Sequence, residues 1–151
     1  MNSRIDIYTD LLLKLSKKAL ALGELPISAI IVDPVTKKVI SASINQTKKN
    51  PILHAEINAI LKALKLINSK RLDKFDLYCS LEPCPMCASA ISLSRIRRVY
   101  FCLEDKKSGG FINGPKLIYS KNLHHKPKFY YGFKEKIFLD LIKNFFRKKR
   151  N

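Results

Sequence analysis

Residues 77–94 read Leu-Tyr-Cys-Ser-Leu-Glu-Pro-Cys-Pro-Met-Cys-Ala-Ser-Ala-Ile-Ser-Leu-Ser, and this stretch changes character halfway. Leu77 to Leu81 is short and mostly apolar, as in a buried strand. Pro83 and Pro85 interrupt the chain, and Pro85 suits the first turn of a helix that runs to about Ser94. Cys84 and Cys87 fall three apart at that helix start, so both sulfurs can face one point.

Reading outward gives the same alternation on both sides. Toward the N-terminus, Pro51 precedes a helical pattern from His54 to about Ile67, with Ile57, Ile60, Leu61 and Leu64 on one face. Ile27 to Asp33 reads as a buried strand, Asp33-Pro34 as a turn, and Lys38 to Ile44 as the returning arm of a hairpin. Residues 4–22 repeat apolar positions at helical spacing up to a stop at Gly23. Toward the C-terminus, Arg98 to Leu103 reads as a strand, followed by a loop holding Gly109, Gly110, Gly114 and Pro115. Phe129 to Phe133 predicts a fifth strand. A final helix is marked by Ile137, Leu141, Ile142, Phe145 and Phe146, and ends in Arg147-Lys148-Lys149-Arg150. Strands alternating with helices indicate an α/β fold, a mixed sheet covered by helices.

The 151 residues, 46% of them hydrophobic, suit one domain over residues 1–151 with a single core. No apolar run approaches the roughly 20 residues that span a bilayer, and the opening residues do not read as a signal peptide. A cytoplasmic protein with no membrane partner is expected. Its four cysteines, Cys79, Cys84, Cys87 and Cys102, then point to metal or redox chemistry before disulfides. Lys and Arg number 29 against 12 Asp and Glu, a formal charge of +17. Such a field attracts polyanions, RNA among them. The plainer reading is lysine-rich codon usage and a solvated surface.

Two short patterns carry the chemistry, His54-Ala55-Glu56 and Pro83-Cys84-Pro85-Met86-Cys87, each opening a predicted helix. Imidazole and thiolate suit tetrahedral Zn2+. Helix N-termini favour the thiolate form. Three protein ligands, His54, Cys84 and Cys87, leave a fourth position for water, whose pKa zinc lowers to about 7. Glu56 lies close enough to exchange protons with that water without being a ligand. A structural zinc would need a fourth ligand, for which Cys79, Cys102, His124 and His125 are the candidates. Cys79 and Cys102 sit in strand patterns, where cysteine behaves as a small hydrophobe.

His-x-Glu with Pro-Cys-x-x-Cys is the signature of the zinc nucleobase deaminases. At these residues the chain resembles the cytidine and deoxycytidylate deaminase superfamily, and more closely its bacterial tRNA adenosine deaminases. The resemblance runs from Gly23-Glu24-Leu25-Pro26 through Asn45, His54 to Ile57 and Leu81 to Ala88, then Ser94-Arg95-Ile96, Asp105, Lys107, Ser108 and Gly109, to the terminal Phe145-Phe146-Arg147. It implies a three-layer α/β/α cytidine-deaminase-like fold with a mixed five-stranded sheet. It implies conversion of the wobble adenosine of an arginine tRNA to inosine, and a homodimer whose active sites lie near the subunit interface. By the same resemblance, Asn45 would hydrogen-bond the target nucleoside and the backbone of Ile27 and Ala55 would seat the base. Asp105, Lys107 and Ser108 would contact flanking nucleotides, and Phe145, Phe146 and Arg147 would lie along the anticodon loop. The chain departs from the pattern at Ser28, where glycine is common, at Glu104, where a basic residue is frequent, and in the loop Gly110 to Gly114.

The terminal helix mixes Lys143, Arg147, Lys148, Lys149 and Arg150 with two phenylalanines. Basic groups bind phosphate and a phenylalanine can stack on a base. Adjacent aromatics seldom share one helix face, so one is expected to pack inward while the other meets RNA. Two other functions compete. Deamination of a free base or nucleotide, such as guanine or cytosine, would use the same metal centre. A non-catalytic RNA-binding subunit with a structural zinc would not need Glu56.

Overall fold

The computed structural model describes residues 3–150 and places five strands in the order β2-β1-β3-β4-β5. The strands are β1 (Ser28–Val32), β2 (Val39–Ile44), β3 (Asp76–Leu81), β4 (Arg98–Leu103) and β5 (Lys128–Tyr131). β1 pairs antiparallel with both β2 and β3, whereas β3, β4 and β5 run parallel, so the sheet is mixed. The antiparallel half is a hairpin. Its turn is fixed by Asp33, whose Oδ1 accepts from the N–H groups of Val35 and Thr36.

Four helices cover the sheet: α1 (Arg4–Ala21), α2 (Ala55–Ile67), α3 (Pro85–Leu93) and α4 (Glu135–Arg150). Period-2 alternation divides the strand residues between two cores. Ala29, Ile31, Leu77, Cys79, Val99 and Phe101 join Ala59, Ala63, Ala88 and Ile91 beneath α2 and α3. Ile30, Val32, Tyr78 and Cys102 face Tyr8 and Leu12 of α1 and Phe138 and Leu141 of α4. The result is three layers, α/β/α, as the resemblance implies. Cys79 and Cys102 are buried in separate cores on opposite faces of the sheet.

The helix ends follow local sequence. Ser3 and Asp6 form a capping box at the start of α1. Its end is a Schellman motif, with Gly23 at φ +77°, Gly23 N–H on the Leu20 carbonyl and Glu24 N–H on that of Ala19. The fifth strand stops at Tyr131, two residues short of the sequence expectation. Gly132 turns the chain at φ +90°, and Phe133 packs against the α1/α4 core instead.

Ser28 is accounted for by packing. It is fully buried, and its hydroxyl donates to the Leu12 carbonyl at 2.7 Å and lies 2.9 Å from the Ser16 hydroxyl. The residue ties β1 to α1 and does not face the cleft described below.

Candidate active site

The parallel strands β3 and β4 deliver their carboxyl ends to one edge of the sheet, where α/β folds bind ligands. There a cleft of about 760 Å³ opens. Its floor holds Ile27, Asn45, His54, Glu56, Leu81, Glu82 and Cys84, one wall is Leu103 to Ser108, and α4 supplies Glu135, Leu139, Ile142 and Phe146.

Two helix N-termini converge on the floor. His54 is the N-cap of α2 and Cys84 the N-cap of α3, both extended, with Pro85 in the first turn of α3. Cys87 follows one turn into α3, so its sulfur returns to the same point as that of Cys84. The His54 Nδ1 lies 3.5 Å from Cys84 Sγ and 3.6 Å from Cys87 Sγ. Zinc bound at about 2.3 Å to sulfur and about 2.0 Å to nitrogen sets tetrahedral N···S edges of about 3.6 Å. The three side chains are therefore already spaced for that ion. Among the described residues they form the one cluster of three or more His, Cys, Asp or Glu ligand atoms. None of the candidate fourth ligands joins them. Cys79 and Cys102 are core residues, His124 offers its carbonyl to Arg95, and the His125 ring is 2.6 Å from the Ile96 carbonyl. The donor set fits a catalytic zinc with one corner free.

Glu56 stands beside this cluster, 3% exposed, with its Oε1 lacking any hydrogen-bond partner among the described residues. A buried, unpaired carboxylate oxygen is costly unless a ligand completes it. Burial pushes its pKa up to about 7, where it can both take and give a proton near neutrality. Without metal, the Cys84 thiol is drawn down to about 4, first by the hydrogen bond from Cys87, then, against the cost of burial, by His54. Cys87 moves in the opposite direction, first through that same bond, so the pair keeps one proton. The His54 pKa is raised, chiefly by its contact with Cys84.

The substrate-binding candidates fare unevenly. Asn45 is buried in the floor, and its Oδ1 accepts the Ala55 N–H at 2.8 Å, which leaves the amide NH2 as its donor. That bond consumes the Ala55 N–H. The Ile27 N–H is likewise committed to the Leu25 carbonyl, and the Ile27 carbonyl accepts from Asn45. Both backbone N–H donors are thus engaged within the fold, while the Ile27 carbonyl, with one bond, keeps a second lone pair, and Ile27 lines the cleft. Lys107 and Ser108 line the cleft. Asp105 does too, but its Oδ1 caps its own loop by accepting from Lys107 and Ser108 N–H. Phe145 is buried, with Lys149 over its ring, whereas Phe146 is 47% exposed and lines the cleft. Arg147 is exposed on α4.

Glu82 is a residue that pattern reading placed in the motif without giving it work. It is 3% exposed, and its two oxygens accept five hydrogen bonds: from the N–H groups of Asp105, Phe111, Ile112 and Asn113, and from Asn113 Nδ2, at 2.6–3.1 Å. It moulds the glycine loop into a wall of the cleft. A Cβ on Gly109 would meet the Glu82 carboxylate and one on Gly110 the backbone of Pro85, so only glycine allows so close an approach. Glu24 works alike across the cleft. Buried, it accepts from Thr47 Oγ1 at 3.0 Å and Lys48 N–H at 3.2 Å, anchoring the segment that presents Asn45.

Fold and site together define a zinc-dependent deaminase: residues 3–103 match the cytidine and deoxycytidylate deaminase zinc-binding region. A tRNA-specific adenosine deaminase of Rickettsia bellii is 40% identical over 141 residues, covering 92% of this chain and 97% of the relative. The solved structure of a tRNA deaminase, studied for A-to-I editing at the wobble position, superposes with a TM-score of 0.84 at 36% identity, over 88% of this chain and 96% of that one. The chain belongs to the tRNA-specific adenosine deaminase family. A guanine deaminase of Nitrosomonas europaea shares the fold at TM-score 0.74 and 18% identity, over 90% of this chain and 81% of the other.

Proposed function

We propose that this chain hydrolyses the wobble adenosine of a tRNA anticodon loop, an arginine tRNA first among candidates, to inosine. The observation that carries the reading is the buried, unpartnered Glu56 oxygen beside a three-ligand His54–Cys84–Cys87 site at the floor of the cleft. Zinc held by those three residues would supply Lewis acidity to a water at neutral pH. Glu56 accepts a proton from the attacking water as the C–O bond forms at C6 of adenine, and hands it to the ring nitrogen N1. It then carries the remaining proton of the new C6 hydroxyl to the exocyclic amine, the C–N bond breaks as the C6 carbonyl forms, and ammonia leaves. Asn45 donates its amide NH2 to the nucleoside, while Ile27 and Leu81 wall the base.

An anticodon loop already splays its bases, which lowers the cost of placing one in a pocket. Lys107, Ser108, Phe146 and Arg147 are disposed to meet the flanking nucleotides, Phe146 by stacking. Phe145 contributes by holding α4. Ile52, Leu61, Leu93 and Tyr119, all at least half exposed around α2 and α3, supply apolar surface for a second copy of the chain. Among the described residues no helix is long and apolar enough to cross a membrane; a cytoplasmic site of action accords with tRNA as substrate. The test is incubation of the metal-loaded protein with an arginine tRNA bearing adenosine at the wobble position, read by sequencing for inosine. Inosine there, absent with Glu56→Ala, supports the reading. Turnover of free guanine or cytosine with none on tRNA would replace it.

A further inference from the structure

A second hollow, of about 160 Å³, lies at the opposite end of the sheet from the cleft, where β3 and β4 begin beside the start of α1 and the turn between β1 and β2. With a rise of about 3.3 Å per residue, the six residues of β3 put it roughly 17 Å from the strand end that leads to Cys84. Four cations line it, Arg4, Lys37, Arg97 and Arg98, against one carboxylate, Asp76, for a net charge of +3. Asp76 is 3% exposed, and both its oxygens are taken by Arg97, at 2.8 Å from Nε and 2.7 Å from Nη2. This bidentate bond orients the guanidinium and leaves Nη1 uncommitted. Arg4, Lys37 and Arg98 join no ion pair among the described residues.

Two phenols add donors. Tyr78 and Tyr100 are neighbours across β3 and β4, their rings stacked at 4.3 Å, and both line the hollow. Neither hydroxyl is spent on the backbone, whereas Tyr8 donates to the Lys37 carbonyl at 3.0 Å and so ties the turn to α1. Tyr78 is 5% exposed, held by burial as well as by stacking. Donor-rich surroundings of this kind fit an anion with several terminal oxygens. The volume falls below the roughly 300–1,000 Å³ of pockets that enclose whole small molecules, so it suits one tetrahedral oxyanion and not a nucleoside. An RNA backbone phosphate is a monoanion with a sugar on each side, and needs an open groove. A phosphate monoester carries about −1.5 to −2 charges at pH 7 and three terminal oxygens, a closer match to these cations. We propose that this hollow binds a phosphate dianion, inorganic or at the end of a small monoester, at a site separate from the catalytic cleft and independent of how the cleft is read.

Titration calorimetry of the zinc-loaded protein with inorganic phosphate, in chloride buffer of constant ionic strength, tests this. One phosphate should bind per chain. Its affinity should fall at least about tenfold when Lys37→Gln and Arg98→Gln are combined, since each removes a charge-assisted bond. Tyr78→Phe, which keeps the stacked ring and deletes only the hydroxyl, should weaken it by a smaller factor. Methyl phosphate binding as tightly as inorganic phosphate would support a monoester as the occupant, and binding of inorganic phosphate alone would support the free ion. No binding above that of chloride, or equal affinity in the parent and both variants, overturns the proposal. So does a double variant that loses affinity for an anticodon stem-loop by the same factor, because the cations would then belong to RNA.

Discussion

Replacing Glu82 by Gln isolates the device that shapes the cleft. One Glu82 oxygen accepts from three backbone N–H groups, those of Phe111, Ile112 and Asn113; the other accepts from Asp105 N–H and Asn113 Nδ2. Gln must turn its NH2 toward one of the two sets, and the better choice sacrifices two bonds. Each donor left facing a donor in this buried site costs about 1–3 kcal/mol, and the remaining bonds lose their charge assistance. The expected destabilisation is about 3 kcal/mol. At about 2–4 °C per kcal/mol for a chain of this size, the thermal midpoint should fall by roughly 6–12 °C. Urea unfolding of the metal-loaded variant gives the free energy directly, through a lower midpoint at unchanged slope. Because the same loop carries Glu104 to Ser108, KM for an anticodon stem-loop should rise as well. A variant within about 0.5 kcal/mol of the parent, the scatter of ordinary surface changes, would refute the assignment of the loop's geometry to Glu82.

Other outcomes follow from the same structure. Glu56→Gln should retain the metal while inosine formation falls by about 10²–10⁴-fold, the usual worth of a general acid–base group; near-parent turnover would remove Glu56 from proton transfer. Stripping the metal at pH 6 should expose Cys84 to iodoacetamide at once. Its thiol is drawn down to about 4, so the rate should stay flat from pH 6 to 8 and fall only as pH drops through that value. Cys79 and Cys102, raised by burial, should react only in denaturant. Phe145→Ala should cost about 3 kcal/mol of stability, whereas Phe146→Ala should leave stability nearly unchanged and raise KM for RNA. Truncation after Phe146 removes four exposed cations and should flatten the salt dependence of tRNA binding; an unaltered slope would show that the tail does not neutralise phosphates.

Much of this architecture was legible in the chain because its signals are local. The proline at the start of α3, the Gly23 stop and the Asp33 turn each act within a few residues, and the metal ligands announce themselves by spacing at helix starts. What stayed hidden was carried by contacts distant in sequence. Glu82 reads as an ordinary acidic residue until the chain returns 23 to 31 positions later to surround it. Ile27 and Ala55 keep no spare backbone donor, because their partners come from neighbouring segments. The strand order could not be read from alternation alone. Phe145 and Phe146 were separable only by knowing which side of α4 meets the sheet. The short fifth strand is different, since Gly132 already stood inside the predicted span.

Zinc-edge X-ray absorption on the purified protein measures the metal site itself. Two sulfurs at about 2.3 Å and two light atoms at about 2.0 Å, one a histidine nitrogen and one exchangeable with solvent, are the shell expected from His54, Cys84, Cys87 and a free corner. A third sulfur, or a second histidine closing that corner, would contradict it.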